Sequence, residues 1–447
     1  MKKTAVLVGV IALVALAWLV WTWGYVEDDG FIHLEFAKNV LAGHGFAFDG
    51  LSVYADSSPL WVFGLVALGG VGVPLTVAAK VLGVVALGLL LAGVWRALSD
   101  WGAPRLAAWG ALLVVLNPFV LHWAFAGMEA VGGAALAVWL CSYCARGRLV
   151  PTLVLAGLAP LLRYELAFLS LMAVATLAVQ RRDWRVVLYG ALAALPIIAW
   201  SVYTATALGS LLPTTGPAKH IFQESLAANA IKVVSTMLLG FAVPVLVAPL
   251  GLRKLRVPWS AWAWPALVLA YYMAGGIAMQ TRYALAPGCL VIVLALLTAA
   301  RWSSRALTVV MCTTMVVFLF VDGWMVLPTM HNRIAGVALT TAFDAELRAR
   351  IPADRPIAVF GIGQHALELD NPIIDTGGLT RPGVLQHRAT PAETRAWALA
   401  EGAACFIDGD EPPPGYTVVA RGDLPRIGWF FDRSQYDQLG QRQAYCR

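Results

Sequence analysis

About eleven apolar stretches of roughly membrane-spanning length run through this 447-residue chain, and they restrict it to folds that live in a bilayer. They fall at 4–23, 74–95, 106–121, 130–145, 149–162, 165–180, 186–207, 231–250, 258–276, 284–300 and 305–327. In hydrocarbon the backbone has no water to bond, so such spans are helices. Charged residues make up only 13% of the chain, against about a quarter in soluble domains. The chain is therefore read as an α-helical polytopic membrane protein. Its net charge of +6 sits in short basic loops, and no Lys/Arg run of the length needed for nucleic-acid contact occurs.

The first stretch, MKKTAVLVGVIALVALAWLVWTW, begins like a signal peptide. It ends in Trp18, Trp21 and Trp23 and not in a small-x-small cleavage site, which reads as a retained span with an interfacial girdle. The fifth and sixth spans are short and flank Arg163-Tyr164-Glu165; a re-entrant hairpin there leaves the parity unchanged. The piece SPLWVFGLVALGG (58–70) is too short to span and is read as lying along the interface. Lys2-Lys3, Arg96/Arg105, Arg146/Arg148, Arg181-Arg182-Arg185, Arg253-Lys254-Arg256 and Arg301/Arg305 then all face the cytoplasm. Counting 58–70 as a span would turn most of those clusters outward. The expected protein is a multi-pass component of the cytoplasmic (inner) membrane with a cytoplasmic N-terminus.

This topology sorts the acids. Twelve Asp/Glu precede residue 330, and only Asp100 and Asp183 fall on the cytoplasmic side. The other ten gather at exoplasmic helix ends. From residue 330 onward there are fourteen acidic side chains, twelve arginines and no lysine. The domains expected are a membrane domain over 1–329, with a first exoplasmic loop at 24–73, and a small exoplasmic α/β domain over 330–447. In the latter PIAVFGIG, NPIID and ACFID read as strands, and HALEL and PAETRAWALAEG as helices. The GIG at 361–363 reads as a strand-end turn, not as a nucleotide loop. Cys405 and Cys446 are a candidate disulfide if this region is exported. Cys141-x-x-Cys144 lies in an apolar run with no second pair or nearby His, and reads as packing, not as a zinc site.

The first loop carries the chemistry. YVEDDGFIHLEFAKNVLAGHG (25–45) places Glu27, Asp28 and Asp29 at the lip of the membrane. After them Phe31, Leu34, Val40 and Leu41 recur near one face, which predicts an amphipathic helix lying in the interface. A carboxylate at its start is partly desolvated and hence more basic, as a general base for a sugar hydroxyl must be. Asp28 is read in that role and Glu27 as a helix cap. Opposite charge comes from Lys219 and His220 in LPTTGPAKH, from Arg282 in QTRYALAP and from Arg163, as an anionic lipid phosphate would need. The plainer readings are snorkelling to phospholipid headgroups and, for Arg163, a pair with Glu165. His33, His44, Asp56, Glu129, Glu165 and Tyr283 are the further residues expected to line the site on the acceptor side. His44 and His122 also fit a simple interfacial packing role.

These residues carry a family resemblance. DDGFIHLEFAKNVLAGHGFAFDG…YADSSPLW resembles the first exoplasmic loop of GT-C glycosyltransferases, in particular that of actinobacterial cell-wall arabinofuranosyltransferases and related bacterial enzymes. There a DD-x-[FY]-I start is followed by R-[YF]-A-x-N-x-x-x-G-x-G and T-[SN]-x-L-W. FAGMEA (125–130), LLRYELAF (161–168), LPTTGPAK (212–219), QTRYALAP (280–287) and NPIIDTGGLTRP (371–382) extend the likeness in the same order. Glu35 stands where an Arg is usual, Ser57 replaces the Thr and Thr214 the Asn of P-N-T.

The resemblance implies a GT-C-like fold and an inverting glycosyltransferase. Such an enzyme takes its sugar from a polyprenyl-phosphate donor outside the cytoplasmic membrane and passes it to an envelope glycan or lipid. It carries Asp28 over as catalytic base and Asp29 as its partner, with Lys219 and Arg282 on the donor phosphate. No metal is expected, because positive side chains suffice for a lipid-phosphate leaving group; a divalent cation on Glu27-Asp28-Asp29, as in some members of the superfamily, is the alternative. Three competing functions remain on the sequence: a flippase or transporter of lipid-linked saccharide, an O-antigen polymerase or ligase, and a non-catalytic assembly subunit.

Overall fold

The computed structural model describes residues 2–219, 225–275, 280–409, 411–425 and 439–447. The apolar α1 (Lys2–Trp21) leads through a short turn into the first loop. That loop contains α2 (Asp28–Leu41), the hairpin β1 (Ala47–Phe48) and β2 (Leu51–Ser52), and α3 (Pro59–Gly70). The twelve residues of α3 are too few to cross hydrocarbon, and the helix packs on α2 and on α4 (Leu75–Asp100).

The span expected at 106–121 is broken into α5 (Ala107–Val115) and α6 (Val120–Phe125). Asn117 and Pro118 cause the break. Proline offers no N–H to the helix, and the Asn117 side chain takes over the local bonding, accepting from the Phe119 N–H at 3.1 Å and donating to the Gly240 carbonyl at 2.7 Å. Then come α7 (Ala130–Ala145), α8 (Leu149–Leu162) and α9 (Leu166–Arg181). The expected span 186–207 is bent by 42° between α10 (Arg185–Ala193) and α11 (Leu195–Ala207), where Pro196 follows. The short α12 (Thr215–Lys219), α13 (Leu226–Val247), α14 (Ser260–Ala274) and α15 (Thr281–Trp302) complete the bundle. α15 is its hub: eighteen of its twenty-two residues are buried. Finally α16 (Ser304–Val321) continues through a π-turn at Asp322–Val326 into α17 (Leu327–Arg350).

Among the described residues five helical segments are long and apolar enough to cross a membrane, or six if α10 and α11 form one bent span. The eleven spans expected are thus not eleven bilayer-length helices. Proline breaks and several helices of six to sixteen residues make up the difference. Cys141 and Cys144 are buried in α7, as packing residues.

Residue 330, where the composition shifts, lies inside α17, so one helix runs from the bundle into the C-terminal region. There a five-stranded sheet of order β4-β3-β5-β7-β6 is built from β3 (Ile357–Val359), β4 (Ile373–Asp375), β5 (Cys405–Asp408), β6 (Thr417–Pro425) and β7 (Leu439–Cys446). β3 runs parallel to β4 and β5, while β7 is antiparallel to β5 and β6. The helices α18 (Gly363–Glu368) and α19 (Pro391–Ala400) stand at the expected HALEL and PAETRAWALAEG segments. The Thr390 hydroxyl caps α19 by accepting from the Glu393 N–H at 3.2 Å. Cys405 lies opposite Cys446 in the β5–β7 register, and the two are joined as a disulfide.

One expectation about the first loop is corrected. α2 does not lie half-exposed on the membrane surface: nine of its fourteen residues are buried. α3 and α4 pack on it from the bundle, and α18 packs on it from the C-terminal region. Of the expected apolar face, Phe31 and Leu34 are buried, and Leu41 lies on the outer surface of the protein.

Candidate active site

The start of α2 is held in place from below. Lys80, buried near the start of α4, donates to the Thr22 carbonyl at 2.9 Å, to the Phe125 carbonyl at 2.5 Å and to the Tyr25 carbonyl. A buried ammonium satisfies three acceptors in this way, two of them at or near helix C-terminal ends where cations are favoured. Next to it Gly83 lets α6 approach: a Cβ there would stand 1.9 Å from the Ala124 carbonyl oxygen. The Glu27 N–H donates to the Ala126 carbonyl at 2.9 Å and completes the anchor.

Glu27 occupies the N-cap position, yet its side chain makes no cap bond. The expected capping role is replaced by pairing: the carboxylate accepts from the Tyr25 hydroxyl and from Arg333 of α17. The next two carboxylates point to different partners, since successive helical residues are about 100° apart. Asp28 Oδ1 accepts the Gln364 N–H of α18 at 3.2 Å. Asp29 Oδ2 accepts from Arg282 Nη2 of α15 at 2.6 Å. Burial pushes the Asp28 carboxyl up to about 6, and the neighbouring Asp29 adds to the rise.

The Arg282 guanidinium is seated on aromatic faces, 5.6 Å from the Trp123 ring centre and 5.2 Å from that of Tyr283. Trp123 is oriented by its own bond to the Thr281 hydroxyl at 2.8 Å. Tyr283 stacks on Tyr272 with ring centres 4.8 Å apart, and the Arg163 guanidinium lies 5.4 Å from its ring. Tyr283 thus stands beside both arginines.

A second chain of charge begins at Asp56. Its carboxylate takes the Ser58 N–H at 2.7 Å and His33 Nδ1 at 2.5 Å; His33 Nε2 reaches Glu129 at 3.2 Å. Glu129 then accepts from Arg163, which also bonds Glu165, both at 2.5 Å. Burial opposes the imidazolium of His33, but Asp56 and then Glu129 outweigh it and push the group up to about 10. This row ties α2, the turn before α3, the turn before α7 and the α8–α9 junction into one unit. The Glu165 carbonyl adds α14 by accepting from Trp264 Nε1 at 3.0 Å.

Of the residues singled out in the sequence, Asp29, His33, Asp56, Glu129, Arg163, Glu165, Arg282 and Tyr283 are linked by these contacts, with Asp28 adjoining them at the head of α2. His44 is exposed beyond the other end of α2, bonded to Asn39 at 3.4 Å and about 20 Å along the helix from Asp28. His122 is buried between Tyr25, Trp123 and Met330. Lys219 closes α12, whose side chain there is not described, and His220 lies outside the described residues. No cluster of three or more His, Cys, Asp or Glu suited to a metal ion occurs among the described residues. The residues missed in the sequence are Lys80 as an anchor, Arg333, and the Gln364-His365 step. A lysine inside an apolar run was the one available signal.

Chemically, the arrangement offers a half-buried carboxylate able to exchange a proton near neutral pH, and beside it a guanidinium held by one carboxylate and aromatic faces.

No protein-family model matches the chain. Among curated proteins it is 30% identical over 285 residues to the terminal beta-(1->2)-arabinofuranosyltransferase of Mycobacterium tuberculosis, a match covering 56% of this chain and 44% of that protein. The protein of the same name from Corynebacterium glutamicum is 28% identical over 247 residues, covering 48% and 36%. The chain spans less than half the length of these curated relatives. Among solved structures, ArnT from Cupriavidus metallidurans bound to undecaprenyl phosphate superposes with a TM-score of 0.69 at 13% identity, over 99% of this chain and 98% of that one. The apo state of the same protein gives 0.62 at 14% identity. The resemblance carried by the motifs therefore holds in sequence and in fold. This is a polytopic membrane protein of the ArnT-like fold with a small C-terminal sheet domain, similar in sequence to arabinofuranosyltransferases.

Proposed function

We propose that the protein is an inverting glycosyltransferase that moves a sugar from a polyprenyl-phosphate donor to an envelope glycan or lipid on the exoplasmic face. The observation that carries this is the head of α2: a half-buried carboxylate, Asp28, one residue from an Asp29–Arg282 pair. That this sits in a fold shared with a protein bound to undecaprenyl phosphate supports the donor class. Arabinofuranosyltransferase relatives support the sugar-transfer chemistry.

In this reading the acceptor hydroxyl gives its proton to Asp28 as its oxygen forms a bond to the anomeric carbon. The bond from that carbon to the phosphate oxygen breaks on the opposite face, and its electron pair leaves with the lipid phosphate. Arg282 is the better placed arginine for that anion, since Arg163 is already engaged by two carboxylates. Lys219 and His220 are the further donor-phosphate candidates. The row from Asp56 to Glu165 holds the walls in register, with Tyr283 between the two guanidiniums.

Purified protein in nanodiscs, supplied with a panel of polyprenyl-phosphate sugars and an envelope acceptor extract, is expected to transfer at least one sugar. Flipping of labelled lipid-linked sugar with no transfer from any donor would replace this reading by that of a flippase.

The same reading places the N-terminus in the cytoplasm, the C-terminal domain (from about 330) on the exoplasmic side, and the chain in the inner membrane. The Cys405–Cys446 bond supports an oxidising location, since cytosolic thiols stay reduced. Peptide mass spectrometry of protein alkylated in intact cells without reductant should recover these two cysteines as a linked pair. Recovery of both as alkylated thiols would put the domain on the wrong side for this mechanism.

A further inference from the structure

β3 and β4 run parallel, so their carboxyl ends and the loops that leave them lie at one edge of the C-terminal sheet. That edge meets the membrane bundle at two places. The loop after β3 ends on Gly363, where a Cβ would stand 2.0 Å from the Asp28 carbonyl oxygen. The loop after β4 offers the Leu379 carbonyl to the Thr214 hydroxyl, and the Thr214 N–H donates to the Tyr54 carbonyl of the first loop at 2.8 Å. The 3₁₀ turn Pro382–Gln386 that follows packs on α12. Phe360, the first residue beyond β3, and Arg388, just past that turn, meet at the same edge. Phe360 is 41% exposed, the one exposed Phe, Tyr or Trp ring among the described residues after α17. Arg388 sets its guanidinium 5.5 Å from the ring centre and donates from Nη1 to the Gly377 carbonyl at 3.0 Å. Its other N–H groups have no hydrogen-bond partner among the described residues. The loop beneath is firmly built. Asp375 is buried, and its carboxylate accepts the Gly377 N–H at 2.6 Å, the Thr380 N–H at 2.7 Å and the Thr380 hydroxyl at 3.2 Å. A Cβ on Gly377 would stand 3.1 Å from the Phe360 carbonyl oxygen, so the two strand-end loops touch there.

Resting on the reading of Asp28 as the base of a sugar transfer, we propose that Phe360 and Arg388 form a subsite for the acceptor saccharide at the edge where β3 and β4 end. A sugar has an apolar C–H face and a rim of hydroxyls. The exposed ring takes the first, and the spare guanidinium donors take the second. The carboxyl ends of parallel strands are also where open α/β sheets generally bind ligands. From Phe360 to Gly363, which abuts Asp28, the chain spans at most about 10 Å, a reach that a short oligosaccharide covers. Inner sugars held on the ring therefore bring the terminal hydroxyl towards Asp28. A lipid headgroup would also accept an aromatic ring beside an arginine. The saccharide is favoured because both side chains are fixed to loops that end against the head of α2 and against α12. Acceptor choice then belongs to the C-terminal domain, and the donor to the bundle.

The test measures saccharide binding without turnover, on gel-filtered protein in nanodiscs and in detergent. Oligosaccharides of arabinose, galactose and mannose are titrated by saturation-transfer NMR, and acceptor and donor KM are measured for any sugar transferred. Wild type should bind at least one of them. Phe360→Ala and Arg388→Gln should each weaken that binding about tenfold, the scale of one aromatic face or one charged hydrogen bond. The acceptor KM should rise by the same factor with the donor KM unmoved. Phe360→Trp keeps a stacking face and should retain wild-type binding. Neither side chain is buried, so the unfolding midpoint should stay where it is. Unaltered binding in both Phe360→Ala and Arg388→Gln, or no binding to wild type, overturns the proposal. So does a loss seen in nanodiscs and absent in detergent, which marks a lipid contact. If both substitutions weaken binding but wild type transfers no sugar, the subsite stands and it is the glycosyltransferase reading that fails.

Discussion

Asp28→Asn is expected to lower sugar transfer by about 10²–10⁴-fold, the range associated with a general base, while the protein stays folded. The substitution keeps the shape and keeps an oxygen for the Gln364 N–H, and it removes only the ability to take a proton. Burial already disfavours the charged form of Asp28, so the neutral amide should cost the fold nothing; thermal unfolding in detergent should begin no earlier than in wild type. In the proposed mechanism the carboxylate is the active form, and it is lost as pH falls through its raised value. Wild-type transfer should therefore fall off below about pH 6, with the drop governed by this group. Equal transfer by Asp28→Asn and wild type would remove Asp28 from the mechanism.

Arg163→Leu is expected to have the largest effect on stability. It leaves Glu129 and Glu165, both now bonded to the guanidinium at 2.5 Å, without their common cation. Removing one partner of a buried ion network costs about 3–5 kcal/mol where the remaining charge stays uncompensated; here Glu129 keeps His33, and Glu165 loses the guanidinium. The expected result is a marked fall in the unfolding midpoint in detergent. The double change Arg163→Leu with Glu129→Gln should recover part of the loss, since it takes one stranded carboxylate away. A single variant as stable as wild type would mean that the row from Asp56 to Glu165 is not what holds the α8–α9 junction to α2.

Much of this linked cluster was legible because it is built from residue types that an apolar chain otherwise excludes. Glu129, Arg163, Glu165 and Arg282 stand out against hydrocarbon-like neighbours, and charged groups in such surroundings are retained only with partners. Short strands such as Ile357–Val359 and Cys405–Asp408 were equally plain, being unbroken apolar runs bounded by turns. β6 and β7 went unread because TVVARGDLP and LGQRQAYC carry neither an apolar run nor strict alternation; β6 is also bulged against its partner between Val418 and Ala420. The error over α2 has a different cause. Its sequence is amphipathic, and a local pattern reports that one face seeks apolar company and the other polar company. It does not report whether the polar side meets water or the backbone of a segment more than three hundred residues later. The docking of Gln364 on Asp28 was hidden for the same reason, since nothing near it in sequence indicates that partner.

The helix that leaves the bundle has a metrical property. Arg333, which grips Glu27, and Asp344, which grips His365, are eleven residues apart on α17. Eleven residues are close to three full turns, so both grips issue from the same side of the helix, about 16 Å apart along its axis. α17 is in effect a graduated rod with two clips, one fastening the approach to the paired acids and the other the segment that lies across them. Adding or deleting one residue between the clips would swing the second by about 100°, so both could no longer close at once. The length of this stretch of helix is thus as fixed by the architecture as the identity of the side chains it fastens.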